Sequence, residues 1–547
     1  MLDHLGLVAS VIKDIGLISK IDERIPVSKE KGAKLTIGQR VAAMILNGLG
    51  FMDNRLYMFP KFLENKPVHR LFDDKVCAAD FNDDSLGRGL DEVFKFGVTK
   101  LFSELAFDIG IGQNLLGRSA HFDTTSLSLY GDYQSDEKAV SQSANASTPA
   151  STIDVTYGYS KANRPDLKQV VLNLATTGVA NFPIWMEACD GNASDKAVLQ
   201  AAAARMEVFC KALQDSPSFL HVGDSAMYER CVKEAVELKW LSRVPERLKE
   251  AKKWLSVPDE LFAWTELQNG YRMTRLSDAS YGAVKQRWIL IHSAQAASRE
   301  LKTLKKRIDK EKEVYNKALW HLNNQEFTCE HDAFLAANKL VKALKYHQVT
   351  WHTSPIEKYS KSGRPKTGEK PQLVGYCIQG TLNEDQERIT VAARHKGRFI
   401  LASNELDQDI LPDSAFLSEY KEQIKTEQGF RFIKSDTFQV DSIFLQKPSR
   451  IEALMMVMTL CLMVYSIAQH KLRQALEKEN ESVPDQRMKK TNKPTAAWIF
   501  RLFHGIHVWT IRQGETVQTL VVNLTPLMKR IISYFGSSAE KMYSLSG

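Results

Sequence analysis

The sequence has no Cys-x-x-Cys pair: its seven cysteines, Cys77, Cys189, Cys210, Cys231, Cys329, Cys377 and Cys461, are scattered and odd in number. That pattern excludes a disulfide framework and points to free thiols in the reducing cytosol. The triplet Cys329-Glu330-His331 has no second ligand pair at zinc spacing, so it is not read as a zinc site. A secretory signal is also lacking, because charges break the apolar run of MLDHLGLVASVIKDIGLISKIDER. The uncharged stretch Ala453 to Ala468 falls short of the roughly 20 residues that span a bilayer. Arg450, Glu452 and His470 flank it closely, and it reads as a buried core helix. No membrane partner is expected. There is no internal repeat. A large charge excess is missing too: 73 Lys+Arg against 65 Asp+Glu leaves +8 over 547 residues. Positive charge therefore matters only where it is concentrated.

What is present is ordinary globular composition, 44% apolar and 25% charged, in a chain long enough for three or four domains. Residues 1–112 read as short helices. Thr36-Ile37-Gly38-Gln39 has the form of a capping box before an apolar run, and a second helix signal follows Asp84-Ser85 through LDEVFKFGVTKLFSELAF. Small helical modules bind DNA or simply pack and dimerise, and the pattern fits both.

From residue 113 the character changes. SAHFDTTSLSLYGDY reads as a strand, a turn and a second strand, and Gln169 to Thr177 and NFPIWMEACDG as further strands, with those around Asp123, Val171 and Trp185 able to form an antiparallel meander. Ser194-Asp195 caps a helix through KAVLQAAAARMEVFCKAL. SFLHVGD is a short buried strand ending on Asp224, followed by a helix through ERCVKEAVEL and a strand KWLSRVP. Three strands and then alternating helix and strand is the element order of a ribonuclease-H-like α/β core. The expected organisation is a helical N-terminal domain (1–112), the first part of the core (113–246), a β-rich insertion (247–405), the second part of the core (406–475) and a C-terminal region (476–547). Within the insertion, the run from Leu301 reads as a charged helix, and GRPKTGEKPQLVGYCIQGTL and ERITVAARHKGRFILAS read as strands with turns.

Asp123 lies inside an apolar strand, where a lone carboxylate is costly to bury. A bound cation answers that cost, and so does a surface-facing position. Asp224 ends a second apolar strand, with Gly223 allowing close backbone approach. If the strands are neighbours, both carboxylates meet at one sheet edge, where ligands of open α/β sheets bind. Two carboxylates suit Mg²⁺ but under-fill a two-metal site. A third acid on a packed helix is then expected, and Glu427 is the candidate. Tyr420, Gln423 and Glu427 follow at steps of three and four, close to one helical face, with Lys434 seven residues on. Such a stripe can hold a phosphodiester beside a metal or be a solvated face.

The spacing Tyr420-x2-Gln423-x3-Glu427-x6-Lys434 resembles the Y-(2)-R-(3)-E-(6)-K signature of bacterial insertion-sequence DDE transposases, of the insertion-sequence-four superfamily. Gln423 stands where the signature has Arg. GYSKANRPDLKQVVLNLATTG from Gly158 resembles the G-x-S-K-x-x-R-P-D-L-x-Q segment of one branch of that family. HFDTTSL, VGDSAMY and PTAAWIFRLFHGI resemble further parts, so the likeness covers nearly the whole chain. It implies a cytoplasmic enzyme that cuts double-stranded DNA at terminal inverted repeats and joins the 3′-hydroxyl ends to target DNA. It implies two Mg²⁺ ions, with Mn²⁺ as a substitute. Asp123 would bridge both ions, and Asp224 and Glu427 would each anchor one. It further implies a homodimer in the synaptic complex, with Tyr420 and Lys434 on phosphates. The alternatives are a ribonuclease-H-like nuclease or resolvase that does not join strands, and a non-catalytic DNA-binding derivative of a transposase.

Further DNA contacts could come from the basic runs Lys305–Lys312, Lys358–Lys370 and Arg487–Pro494, which are otherwise solvated faces. Gly363-Arg364-Pro365 resembles a minor-groove hook, placing Arg364 in a narrow groove, or is a plain loop. Trp498, Phe500, Phe503 and Trp509 follow a partly helical spacing and read as core.

Overall fold

The computed structural model describes every residue except 28–33, 51–55, 73–74, 132, 134–151, 162, 179, 215–216, 234–237, 278, 282–283, 361–369, 436–444, 514–515 and 545–547. The chain divides into two compact units: residues 1–242, 281–284 and 418–547, and residues 243–280 and 285–417.

The first unit begins with helices. Thr36 and Gln39 form the expected capping box at Ile37–Leu49, each side chain bonding the other's backbone N–H, at 3.1 and 3.0 Å. The run after Asp84 is two helices, not one. Asp83–Phe96 is capped by Asn82, whose side chain accepts from the Ser85 N–H at 2.9 Å. The chain then breaks at Gly97, whose φ of +102° suits glycine alone, and restarts as Val98–Gly112. These helices do not stand apart. Ile37–Leu49 and Asp83–Phe96 pack on a long helix, Pro448–Lys478, and Val98–Gly112 packs on the sheet.

Pro448–Lys478 is long and apolar enough to cross a membrane by length and composition, yet 83% of its most apolar window is buried inside the protein. It is apolar nearly all round because it is covered nearly all round, by the N-terminal helices, a strand and Pro526–Phe535.

The sheet of this unit has five strands: β1 (Ser119–Leu129), β2 (Lys168–Thr177), β3 (Phe182–Cys189), β4 (Leu220–Gly223) and β5 (Trp240–Arg243), in the order β3-β2-β1-β4-β5. The first three pair antiparallel, while β4 runs parallel to β1 and β5 parallel to β4. Each parallel connection passes through a helix, Asp195–Lys211 between β3 and β4 and Ser225–Lys233 between β4 and β5. β1 is central, with helix Asp195–Lys211 and helix Ile424–Ile433 both packed on it. Its residues are buried on both faces except Asp123. Near its C-terminal end the unit carries a hairpin, His507–Gln513 with Thr516–Val522, followed by helices Pro526–Phe535 and Ser537–Met542. Phe500 and Phe503 are core as expected. Trp509 is not: it lies on a hairpin strand and is 57% exposed.

The second unit carries the antiparallel strands Arg398–Ser403, Val284–Ser293, Tyr271–Arg275 and Thr265–Leu267. A separate ribbon of His347–Lys358 and Gln372–Glu384 packs on helices Ala294–Asn323 and Glu330–Ala343 around Phe327, Ala333, Ala337 and Ile378. ERITVAAR, expected as strand, is the helix Gln386–Arg394. The Asp385 side chain accepts from the Arg388 N–H at 3.1 Å, and this N-cap outweighs the β-branched residues.

Candidate active site

Asp123 and Asp224 are placed by the parallel pairing of β1 and β4. The ladder joins Ser119 to Leu220, Ala120 to His221 and His121 to Val222. Each acid follows the last pair of that ladder by two residues, so both lie at the same end of the β1–β4 pairing, and neighbouring strands lie about 4.8 Å apart. β4 stops at Gly223 because the chain turns at once into helix Ser225–Lys233. A Cβ at Gly223 would meet the Met227 sulfur at 2.7 Å, so glycine permits the tight return. Asp224 sits in that turn, its carboxylate accepting from the Ala226 N–H at 2.8 Å and its carbonyl from the Ser242 hydroxyl at 2.6 Å.

Glu427 arrives from above the sheet. The expected single helix from Tyr420 to Lys434 is instead two, Ala415–Lys421 and Ile424–Ile433, joined by Glu422 and Gln423. Hydrogen bonds to the third preceding residue tighten the joint, as from the Gln423 N–H to the Tyr420 carbonyl at 3.2 Å. Tyr420 therefore belongs to a different helix from Glu427. Gln423 is the N-cap residue of the second helix, and its amide donates to the Phe122 carbonyl at 3.5 Å. Lys434 is the C-cap residue, about 10 Å along the axis from Glu427 at 1.5 Å per residue.

Three anchors hold this second helix down. The buried Thr426 hydroxyl donates to the His121 carbonyl at 3.1 Å and lies 2.7 Å from the Thr176 hydroxyl. Gly429 lets the helix approach closely, since a Cβ there would meet Leu462 at 3.0 Å and Leu174 at 3.7 Å. Glu419, on the preceding helix, accepts from Arg118 at 2.7 Å and from the Ser119 hydroxyl at 2.8 Å. Thr426 thus faces the sheet while Glu427, one residue on, is exposed.

The Asp123 carboxyl feels both other acids. Burial raises the Asp123 carboxyl to about 6, and the negative charges of Asp224 and Glu427 push the same way. The Thr124 N–H and the Lys161 ammonium oppose the rise. Lys161 was not singled out by sequence pattern as a site residue. Its ammonium donates to the Thr124 carbonyl and hydroxyl, both at 2.8 Å, and pairs with Asp195 at 2.9 Å. Asp195 also accepts from the Thr124 hydroxyl. The cap expected from Ser194 is absent, since its side chain makes no capping bond to helix Asp195–Lys211. The available signal for Lys161 was its place in Gly158-Tyr159-Ser160-Lys161, within the segment that resembles a transposase motif.

Among the described residues, no three His, Cys, Asp or Glu side chains form a ready-made metal cage. The donor set at Asp123, Asp224 and Glu427 is nonetheless all-oxygen and anionic, the chemistry Mg²⁺ prefers. A carboxyl raised chiefly by burial, with two acidic neighbours adding to the rise, is a place where a cation lowers the free energy. Cys329 caps helix Glu330–Ala343, its sulfur accepting from the Asp332 N–H at 3.4 Å, and His331 beside it is exposed. All seven cysteines are free thiols. Arg364 lies outside the described residues. Of the basic runs, Lys305–Lys312 is on the exposed side of helix Ala294–Asn323, and Arg487–Pro494 surrounds the short strand Lys490–Thr491.

Residues 1–107 match the family model described as a domain of unknown function, DUF4277. A comparison with curated proteins found no match. Among solved structures, the piggyBac transposase in a synaptic complex with hairpin DNA is similar over 100% of this chain and 82% of that one. The identity is 10% and the TM-score 0.36. A superposition at that level decides neither the fold nor the activity.

Proposed function

We propose that this chain is a DNA transposase with Asp123, Asp224 and Glu427 as its acidic triad. What carries the reading is that the Asp123 carboxyl lies within electrostatic reach of both Asp224 and Glu427. Residues 101 and 203 positions apart in sequence, on a strand, a strand end and a helix, act on one carboxyl. Two further features support it. The order β3-β2-β1-β4-β5, antiparallel then parallel, is that of a ribonuclease-H-like core. The motifs around all three acids resemble those of insertion-sequence transposases. On this reading residues 113–246 and 406–475 form the core, 247–405 the insertion, and 1–112 a DNA-binding region.

The triad would hold two Mg²⁺ ions, with Mn²⁺ able to substitute. When bound, the metal supplies Lewis-acid activation of a water or 3′-hydroxyl and neutralises charge on the phosphodiester. The chain's own residues do the rest. Asp123, fixed mid-strand, presents its carboxylate beside Asp224. Lys161 favours the ionised form of Asp123. Gln423, Tyr420 and Lys434 orient backbone phosphates along the Glu427 helices, Gln423 without the charge of the signature arginine. Partners are double-stranded DNA, as terminal repeat and as target, and a second copy of the chain during synapsis, in the cytoplasm of a bacterium.

The test is a strand-transfer assay with the protein, Mg²⁺ and a DNA end bearing a free 3′-hydroxyl. Joined product from wild type, and none from Glu427→Gln at equal DNA binding, is the expected result. Cleavage without joining would favour a nuclease or resolvase. Binding without either reaction would favour a non-catalytic derivative.

A further inference from the structure

A cavity of about 330 Å³ opens beside the Glu427 helix. Its cationic lining comes from two directions. Lys421 and Lys425 reach it from the paired helices Ala415–Lys421 and Ile424–Ile433, and His470 and Arg473 from the long helix Pro448–Lys478. Gln428 and Asn181 add neutral hydrogen-bonding groups, and none of the lining residues is an Asp or Glu.

Burial draws the Arg473 guanidinium below its ordinary value. Burial and the charge of Arg473 both lower His470. Nearby anions compensate only in part. Lys425 pairs with Glu422 and feels Glu419, whose carboxylate is already shared with Arg118 and Ser119. Arg473 donates to two backbone carbonyls, of Pro494 at 2.9 Å and Lys493 at 3.5 Å, neither of which carries a formal negative charge. Cations gathered in a partly enclosed space without an acid in the wall fit an oxyanion. Lys425 and Gln428 flank Glu427 in sequence on one helix, so the cavity lies along that helix from the triad.

We propose that this cavity seats a backbone phosphate of the DNA strand that passes the acidic triad, a contact distinct from Tyr420, Gln423 and Lys434. The proposal rests on the DNA-processing reading above. It makes the cavity a sequence-independent grip that sets where along the strand the triad acts.

The experiment is fluorescence anisotropy of the full chain with a labelled duplex across a KCl series, for wild type and Lys421→Gln/Lys425→Gln. Losing two phosphate-contacting cations should flatten the slope of log K against log salt by about 1.8 and weaken binding about tenfold or more, whatever the DNA sequence. Thermal unfolding of both proteins with inorganic phosphate is the second arm, with phosphate stabilising wild type more than the variant. Should the double variant fail to fold, Arg473→Gln, on the other helix, is expected to flatten the slope by about 0.9. Wild type that binds duplex while a folded variant keeps its slope overturns the phosphate seat and leaves the function intact. Phosphate stabilisation lost in the variant with an unchanged DNA slope assigns the cavity to a free anion, and also overturns it. Wild type that binds no DNA overturns the function itself, and this proposal with it.

Discussion

Thr426 ties the Glu427 helix to the strand of Asp123, its hydroxyl donating to the His121 carbonyl at 3.1 Å, two residues before the acid. The bond is buried and shared with Thr176. It places an otherwise exposed glutamate by gripping its neighbour. Thr426→Val keeps the volume and removes the hydroxyl, leaving the His121 carbonyl and the Thr176 hydroxyl short of a partner. The expected cost is about 1–3 kcal/mol in urea unfolding. Cleavage should fall more than DNA binding does, because the helix loses its fixed height above β1. Unchanged stability together with unchanged cleavage would show that other contacts position Glu427.

Asp123 gives a stability prediction with a definite sign. Its carboxyl stands near 6 when folded, above the ordinary value of 3.8. The folded state therefore holds this proton more tightly than the unfolded chain does. The stabilisation it contributes is complete below about 3.8 and is lost as pH rises through about 6. Metal-free Asp123→Asn should accordingly be more stable than wild type at pH 7.5, by at most about 3 kcal/mol, with the gap closing toward pH 4. Denaturant midpoints across that range check it. A gap that widened toward acid would contradict the assignment. The same variant should lose cleavage, and Mg²⁺ should raise the unfolding temperature of wild type but not of the variant.

Lys161 opposes the rise of the Asp123 carboxyl. In Lys161→Met the carboxyl should move further up, so the acid limb of the cleavage–pH profile should shift to higher pH. Asp195 and Thr124 would also lose their shared ammonium, which predicts some loss of stability as well. The profile separates the two effects: a uniform drop in rate with an unmoved acid limb would make Lys161 purely structural.

Gln423 occupies the arginine position of the signature it resembles, with its amide directed at the Phe122 carbonyl. Gln423→Arg adds one cation at the start of the Glu427 helix. The slope of log K against log salt should steepen by about 0.9. An unchanged slope would mean that phosphates do not pass this corner.

Much of the fold was readable from pattern. The alternation around Asp123, Val171 and Trp185 specified β1, β2 and β3, and the Thr36–Gln39 capping box was visible as a motif. Errors fell where one local residue overrides periodicity. Gly97 splits a helix that looks continuous, and Asp385 starts a helix in a β-branched stretch. The break between Tyr420 and Glu427 had no such marker. Helical spacing runs straight through Glu422 and Gln423, and only the packing of two separately anchored segments separates them.

The sequence by itself determined which carboxylates stand out. Its acids end or interrupt apolar strands and sit in recognisable spacings, because burying a carboxylate is costly enough to mark the residue against its surroundings. Tertiary structure alone decided which charges meet. The parallel pairing of β1 with β4 puts Asp123 and Asp224 at the same end of two neighbouring strands, and Thr426 and Gly429 set the height of Glu427. Lys161 and Asp195 join the site from segments that no spacing rule connects to it. Electrostatic interaction falls with distance in space, so neither the raised carboxyl of Asp123 nor the cationic cavity beside the Glu427 helix could be read along the chain.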